Sequence, residues 1–160
     1  MLYDFELAGR RVRLWQRTGE SYEHVLMKAL GYAMFVREFP ALEIEQRVGL
    51  RYKPDLVARR GNDADGADFA KPFAFWGECG TTALRKINWL LKHAGVARLV
   101  LFKIISHPLA LAEELRASVD RRYRAPERLL IINFTGDIKA HTRERSIERV
   151  PESWYTRIIV

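Results

Sequence analysis

The chain has 160 residues, nearly half of them apolar, enough for one domain (1–160) with a sizeable core and no need of disulfide or metal staples. Its lone cysteine, Cys79, excludes an intramolecular disulfide and fits a reducing compartment, and no apolar run approaches the ~20 residues that a bilayer demands, so the cytoplasm is expected, with no membrane partner. A formal charge of +7, most of it from arginine, and a pI near 9.8 favour a polyanionic partner, nucleic acid above all.

Leu2 to Leu7 and Arg11 to Gln16 alternate apolar and polar residues around Ala8-Gly9-Arg10, which predicts an N-terminal β-hairpin (1–17). Tyr3, Phe5, Leu7, Val12 and Leu14 would face inward, with Arg11 and Arg13 opposite Asp4 and Glu6 on the other face. A helix is expected from about Glu20 to Glu38, stopped before Pro40, with Tyr22, Leu26, Ala29, Leu30 and Ala33 on one apolar stripe. Glu20 and Glu23 fall in its first turn, where carboxylates complement the helix dipole.

Leu42 to Leu50 reads as a strand, followed by a turn and a second strand opening at Pro54-Asp55. Arg60 to Pro72, with Asp63, Asp65 and Asp68 but no glutamate at the spacing of a calcium loop, reads as a solvated connection. The aromatic run Phe73 to Gly77 suits a buried central strand and ends at Glu78. Thr81 or Thr82 can cap the following helix, about Ala83 to His93. A strand over Arg98 to Ile105, a helix from about Leu109 to Tyr123 and a strand over Leu129 to Phe134 complete a strand-helix alternation, giving an α/β fold with a partly parallel sheet. Gly136 to Val150 has no firm period, and Trp154 to Val160 is expected as a last strand at a sheet edge.

Asp55 near the start of one strand and Glu78 near the end of the next stand side by side if the two pair antiparallel. Adjacent carboxylates raise each other's pKa, a cost that a shared cation removes. The histidines His24, His93, His107 and His141 are scattered without metal-ligand spacing, and no glycine-rich phosphate loop is present, although the helix after Gly80 could hold one phosphate at its amino end. Arg116, Arg121, Arg122, Arg124 and Arg128, with Tyr123, make the densest basic patch, and Arg121, Arg122 and Arg124 join Arg85 as candidates for nucleic-acid contact.

The order helix, strand, Pro54-Asp55 strand, Glu78-x-Gly80 strand, helix, strand resembles the PD-(D/E)xK nuclease superfamily, metal-dependent phosphodiesterases, over about residues 20–134. The hairpin, the run Glu20-Ser21-Tyr22-Glu23 and Glu78-Cys79-Gly80 followed by Arg85-Lys86 further resemble the YaeQ family. The resemblance implies a restriction-endonuclease-like core of one helix, three mostly antiparallel strands, a helix and a strand, with residues 135–160 as a C-terminal extension. It also implies Mg2+ or Mn2+ held by Asp55, Glu78 and the backbone carbonyl of Cys79, and DNA in preference to RNA as substrate. A homodimer is compatible with this pattern.

Gly80 stands where the motif has a lysine. Lys86, about two turns into the next helix as predicted, is the candidate replacement, ahead of Arg85 and Lys53. Glu23, with Glu20 as its competitor, is the candidate further ligand from the first helix. The activity implied is nucleic-acid hydrolysis. The alternative is an inactive nuclease-fold protein that binds nucleic acid or another protein, which the departure at Gly80 keeps open.

Overall fold

A computed structural model describes residues 1–61 and 71–160; the expected connection with Asp63, Asp65 and Asp68 lies outside the described residues. The described elements are β1 (Leu2–Leu7), β2 (Arg10–Trp15), α1 (Tyr22–Phe35), β3 (Glu43–Ile44), β4 (Leu56–Arg59), β5 (Phe73–Cys79), α2 (Leu84–His93), β6 (Leu99–Lys103), α3 (Pro108–Ser118), α4 (Arg121–Arg124), β7 (Leu129–Phe134), α5 (Ile138–His141), β8 (Ser146–Ile147) and β9 (Tyr155–Ile159). They form a mixed α/β fold with a three-stranded sheet, order β2-β1-β8, and a six-stranded sheet, order β3-β4-β5-β6-β7-β9. In the larger sheet β5, β6 and β7 run parallel, while β3, β4 and β9 pair antiparallel with their neighbours.

The hairpin forms with the expected register, Asp4 opposite Arg13 and Glu6 opposite Arg11, and Arg13 Nε lies 3.0 Å from Asp4 Oδ1. Its apolar face does not rest on the large sheet. Phe5, Leu7 and Leu14 share one core with α1 and with Leu56, Phe75, Val100 and Phe102, so α1 lies between the two sheets. This placement corrects the single apolar stripe: every residue from Val25 to Ala33 is buried, as expected of a helix enclosed on all sides. A second core, on the opposite face, packs Ile87, Leu90 and Leu91 of α2 and Ala112 and Leu115 of α3 against Val57, Trp76, Leu99 and Ile131.

Other boundaries move for identifiable reasons. Ser21, not Glu20, opens α1, its side chain accepting from the His24 N–H at 3.2 Å. The strand expected over Leu42 to Leu50 shrinks to two residues, because Glu45 takes a positive φ of 55° and turns the chain away. The helix expected over Leu109 to Tyr123 is broken in two: Val119 is extended and Asp120 caps α4, accepting from the Arg122 N–H at 2.9 Å. Neither Thr81 nor Thr82 caps α2; the cap position is Ala83, which makes no side-chain bond. The unassigned tail holds α5 and β8, the latter pairing parallel with β1.

The approach of α1 to the large sheet depends on glycine. A Cβ on Gly31 would meet Leu56 Cδ1 and Phe102 Cζ at 2.8 Å each, and one on Gly77 would meet Leu56 Cβ and Phe102 Cε2 at 3.0 Å. Gly31→Val should therefore overpack the core by about 2 kcal/mol and lower Tm on the order of 5 °C. A thermal melt at or above the wild-type midpoint would show that the helix has room to retreat.

Candidate functional site

The site lies where β4 begins and β5 ends. The register pairs Leu56 with Gly77, so the next positions outward, Asp55 and Glu78, are cross-strand neighbours as the sequence predicts. Here the ladder changes character. Asp55 N–H donates to the Gly77 carbonyl at 3.1 Å, and the Asp55 carboxylate accepts the Cys79 N–H on Oδ2 at 2.8 Å, doing with a side chain what a backbone carbonyl does elsewhere in a sheet. The other oxygen, Oδ1, faces His24 Nε2 at 3.3 Å.

Glu78 is buried, with 4% of its surface exposed. Trp76, two residues earlier on the same strand face, donates its indole N–H to Oε1 at 2.8 Å, and Lys86 Nζ donates to Oε2 at 2.6 Å. Lys86, the third residue of α2, reaches it from the first turn of the helix and not from two turns in. Burial drives the Glu78 pKa up, and the Asp55 charge adds to it; the bonds from Lys86 and Trp76 and the Lys86 charge offset only part, so the carboxyl titrates above its usual range. Burial also pushes on Asp55, but the hydrogen bonds from His24 and Cys79 and the charges of His24 and Lys28 outweigh it, leaving Asp55 below its usual value. Two neighbouring carboxyls thus shift in opposite directions.

Behind Asp55 lies a second charge network that sequence reasoning did not find. Lys28 has none of its surface exposed, and its ammonium contacts Glu20 Oε1 at 2.6 Å and Glu45 Oε1 at 3.2 Å. His24 lies 3.6 Å from Glu20, so Glu20, His24 and Lys28 form a polar line at four-residue spacing down an otherwise apolar helix. That spacing is the signal that could have revealed His24. Glu23, the predicted helix ligand, is not brought to Asp55: its carboxylate pairs with Lys139 of α5 at 2.6 Å.

The Gly80 departure has a structural reason. Its φ is +75°, a conformation costly for lysine, and an added Cβ would meet His24 Nδ1 at 3.3 Å. Lys103, buried at the end of β6 and unforeseen from the sequence, donates its ammonium to the Gly80 carbonyl, placing a second cation beside the carboxylate pair. Burial lowers the Lys103 pKa despite the favourable charge of Glu78. The Cys79 thiol is buried and pushed well above its usual pKa, so it stays protonated and only its backbone is available for chemistry. A cleft of about 590 Å³ borders Gly80, lined also by Thr81, Thr82, Lys103, Glu23 and Glu114; neither Asp55 nor Glu78 lines it.

Among the described residues no three His, Cys, Asp or Glu side chains converge as a metal-ligating group. The set at hand is smaller, the two neighbouring carboxylates of Asp55 and Glu78. It consists of hard oxygen donors, which fits Mg2+ or Mn2+, ions that retain several waters, and does not fit a softer metal.

Of the candidate contact arginines, Arg85 on α2 and Arg121 and Arg122 on α4 are exposed. Arg124 is half-buried and its Nε donates to the Val119 carbonyl at 3.0 Å, which makes it a brace for the turn rather than a free contact. Arg116 and Arg128 likewise bond backbone carbonyls, of Ile159 at 2.7 Å and of Val96 at 2.9 Å. The dense arginine patch of the sequence is therefore divided between bracing and outward charge.

No protein-family model and no curated protein matches the chain. Among solved structures, the crystal structure of the YaeQ protein from Xanthomonas axonopodis pv. citri is similar with a TM-score of 0.61 and 15% identity, covering 99% of this chain and 94% of that one. The YaeQ protein from Pseudomonas syringae is similar with a TM-score of 0.59 and 18% identity, covering 91% and 79%. The chain thus shares its fold with YaeQ proteins. No helix among the described residues is long and apolar enough to cross a membrane.

Proposed function

We propose that this chain, with its YaeQ-like fold, belongs to the PD-(D/E)xK nuclease superfamily. In this proposal β3 to β7 with α1 and α2 form a restriction-endonuclease-like core, and the chain hydrolyses phosphodiester bonds of nucleic acid in the cytoplasm. Asp55, Glu78 and the Cys79 carbonyl would hold Mg2+ or Mn2+. The single observation that carries this reading is the placement of Asp55 opposite Glu78, with the Lys86 ammonium 2.6 Å from the latter. When bound, such an ion lowers the pKa of a water and neutralises charge on the phosphate.

The chain's own groups supply the rest. His24 and the Cys79 N–H fix the Asp55 carboxylate by both oxygens and keep it ionised. Trp76 fixes Glu78, and Lys86, half-buried at the mouth of the site, presents a proton donor to a phosphate oxygen. Lys103, bonded to the Gly80 carbonyl, adds positive charge beside the position at which the motif has its lysine. Hydrolysis adds water across one P–O bond; the attacking oxygen loses a proton and the leaving oxygen gains one.

One observation favours the alternative of an inactive, nucleic-acid-binding descendant: each oxygen of the two carboxylates already has a protein donor. The two readings separate in one assay. Incubated with supercoiled plasmid or a single-stranded oligonucleotide, a nuclease cuts with Mg2+ or Mn2+ and not with chelator, whereas a binding module retards nucleic acid in a salt-dependent way and leaves it intact.

A further inference from the structure

Three neighbouring segments concentrate cations without acids. The loop Arg47–Lys53 carries Arg47, Arg51 and Lys53; α2 carries Arg85, Lys86, Lys92 and His93; and α4, which packs beside α2, is Arg-Arg-Tyr-Arg. None of the three contains a carboxylate. Arg51 and Lys92 also have no acidic partner elsewhere among the described residues, and the structure places both over aromatic rings instead.

The rings are interleaved with these cations. Arg51 lies 5.0 Å from the Tyr52 ring centre and 5.7 Å from that of Trp89, while Tyr52 and Trp89 meet edge to face at 5.4 Å. Lys86 Nζ, the same ammonium that bonds Glu78, lies 5.2 Å over Tyr52. Further along α2, Lys92 and Arg122 flank the Tyr123 ring at 5.3 and 4.8 Å. All three rings are half-buried, packed against the second core, so they are held in place while the exposed Arg51, Lys92 and Arg122 sit outside them.

We propose that Tyr52, Trp89 and Tyr123, with Arg51, Lys92 and Arg122 over them, form a stacking track for single-stranded nucleic acid leading along α2 to the Asp55–Glu78 pair. The proposal rests on the nuclease reading only for its direction; the binding itself does not. Anchored rings lose little freedom when a base stacks on them, and Arg51 and Lys92, which have no acidic partner among the described residues, gain most from phosphate, while Arg122 shares its charge with Asp120 at 3.6 Å. A duplex keeps its base faces stacked inside and would leave the rings unused, which is why the track selects single strands. The ten residues of α2 span about 15 Å, room for a few nucleotides.

The test is fluorescence anisotropy of a labelled oligonucleotide of about 16 residues, as DNA and as RNA, each single-stranded and as its duplex, in chelator so that no cleavage is needed. Single strands of one or both chemistries should bind at least tenfold tighter than duplex. Trp89→Ala should weaken single-strand binding about tenfold, and the exposed change Arg51→Ala, which leaves the core untouched, severalfold with duplex binding unaltered. Arg13→Ala on the distant hairpin should do neither. Equal or tighter duplex binding, or an Arg51→Ala protein that binds single strands as wild type, overturns the track even if the protein cuts DNA. Single-strand binding sensitive to Arg51→Ala, together with no cutting of plasmid or oligonucleotide once Mg2+ or Mn2+ replaces the chelator, leaves the track standing and removes the nuclease.

Discussion

Glu78→Gln should abolish hydrolysis while sparing the fold. Activity should fall by about a thousandfold or more, because the substitution removes one of the two charges that would hold the ion. Stability should change by no more than about 1 kcal/mol, since the charge is costly where it sits. Its folded-state pKa lies above the ordinary glutamate value of 4.5 because burial outweighs the Lys86 and Trp76 bonds. The folded chain therefore holds that proton more tightly than the unfolded one, and stability is lost as pH rises from about 4.5 through the raised value. Above the raised value the penalty is fully present, and glutamine escapes it while giving up part of the bonding to Trp76 and Lys86.

The same linkage gives a pH signature. Relative to Glu78→Gln, the wild type should gain stability as pH falls through the raised Glu78 value toward the ordinary 4.5. Asp55→Asn should behave oppositely: the depressed Asp55 pKa contributes stability that is present above the ordinary value of 3.8 and lost as pH falls through the folded value. Asp55→Asn should therefore be destabilising at neutral pH, with the difference fading in acid. Thermal melts of the three proteins across pH measure both slopes, and a Glu78→Gln protein that is grossly unfolded at pH 7 would make Glu78 a structural residue instead.

The second large effect is expected at Lys28. This ammonium, fully enclosed, is held by Glu20 and Glu45, and its bond and charge help to bring the Glu20 carboxyl below its usual range against the opposing effect of burial. Lys28→Met keeps the volume and removes the charge, leaving two partly buried carboxylates facing each other. The penalty for breaking such a pair is about 3–5 kcal/mol. Arg17, 3.4 Å from Glu45, and the residual exposure of both glutamates put this case at the lower end, about 3 kcal/mol or on the order of 10 °C in Tm. Adding Glu20→Gln and Glu45→Gln should recover most of the loss, because the cost lies in uncompensated charge rather than in a cavity. A single variant within about 1 kcal/mol of wild type would show that the network relaxes into solvent. Lys28 also lowers the Asp55 pKa, so the single variant should weaken binding of divalent ions to the site most at acid pH.

Much of this architecture is local in origin and was legible for that reason. The hairpin announces itself by alternation, and the Asp55–Glu78 neighbour relation follows from two strands adjacent in sequence that pair antiparallel. Leu42 to Leu50 misled because its apolar residues do alternate, while the backbone reverses at Glu45 to deliver that carboxylate to Lys28. β8 could not be read at all: two residues pair with a strand some 140 positions earlier, and no local pattern encodes that. The site follows the same division. Asp55, Glu78 and Lys86 come from consecutive elements, whereas His24 and Lys103 arrive from α1 and β6 through packing. Gly80 looked like a missing lysine; its positive φ and the nearby imidazole make it a position where the chain needs glycine.

Whether Asp55 and Glu78 share one divalent ion can be read from crystals soaked in Mn2+, through the anomalous signal of the metal. A single peak is expected, bonded to one oxygen of each carboxylate and to the Cys79 carbonyl at about 2.0–2.2 Å, with Lys86 drawn away from Glu78. A crystal saturated with manganese in which Glu78 still holds Lys86 at hydrogen-bond distance and no peak lies between the two acids would contradict a shared ion.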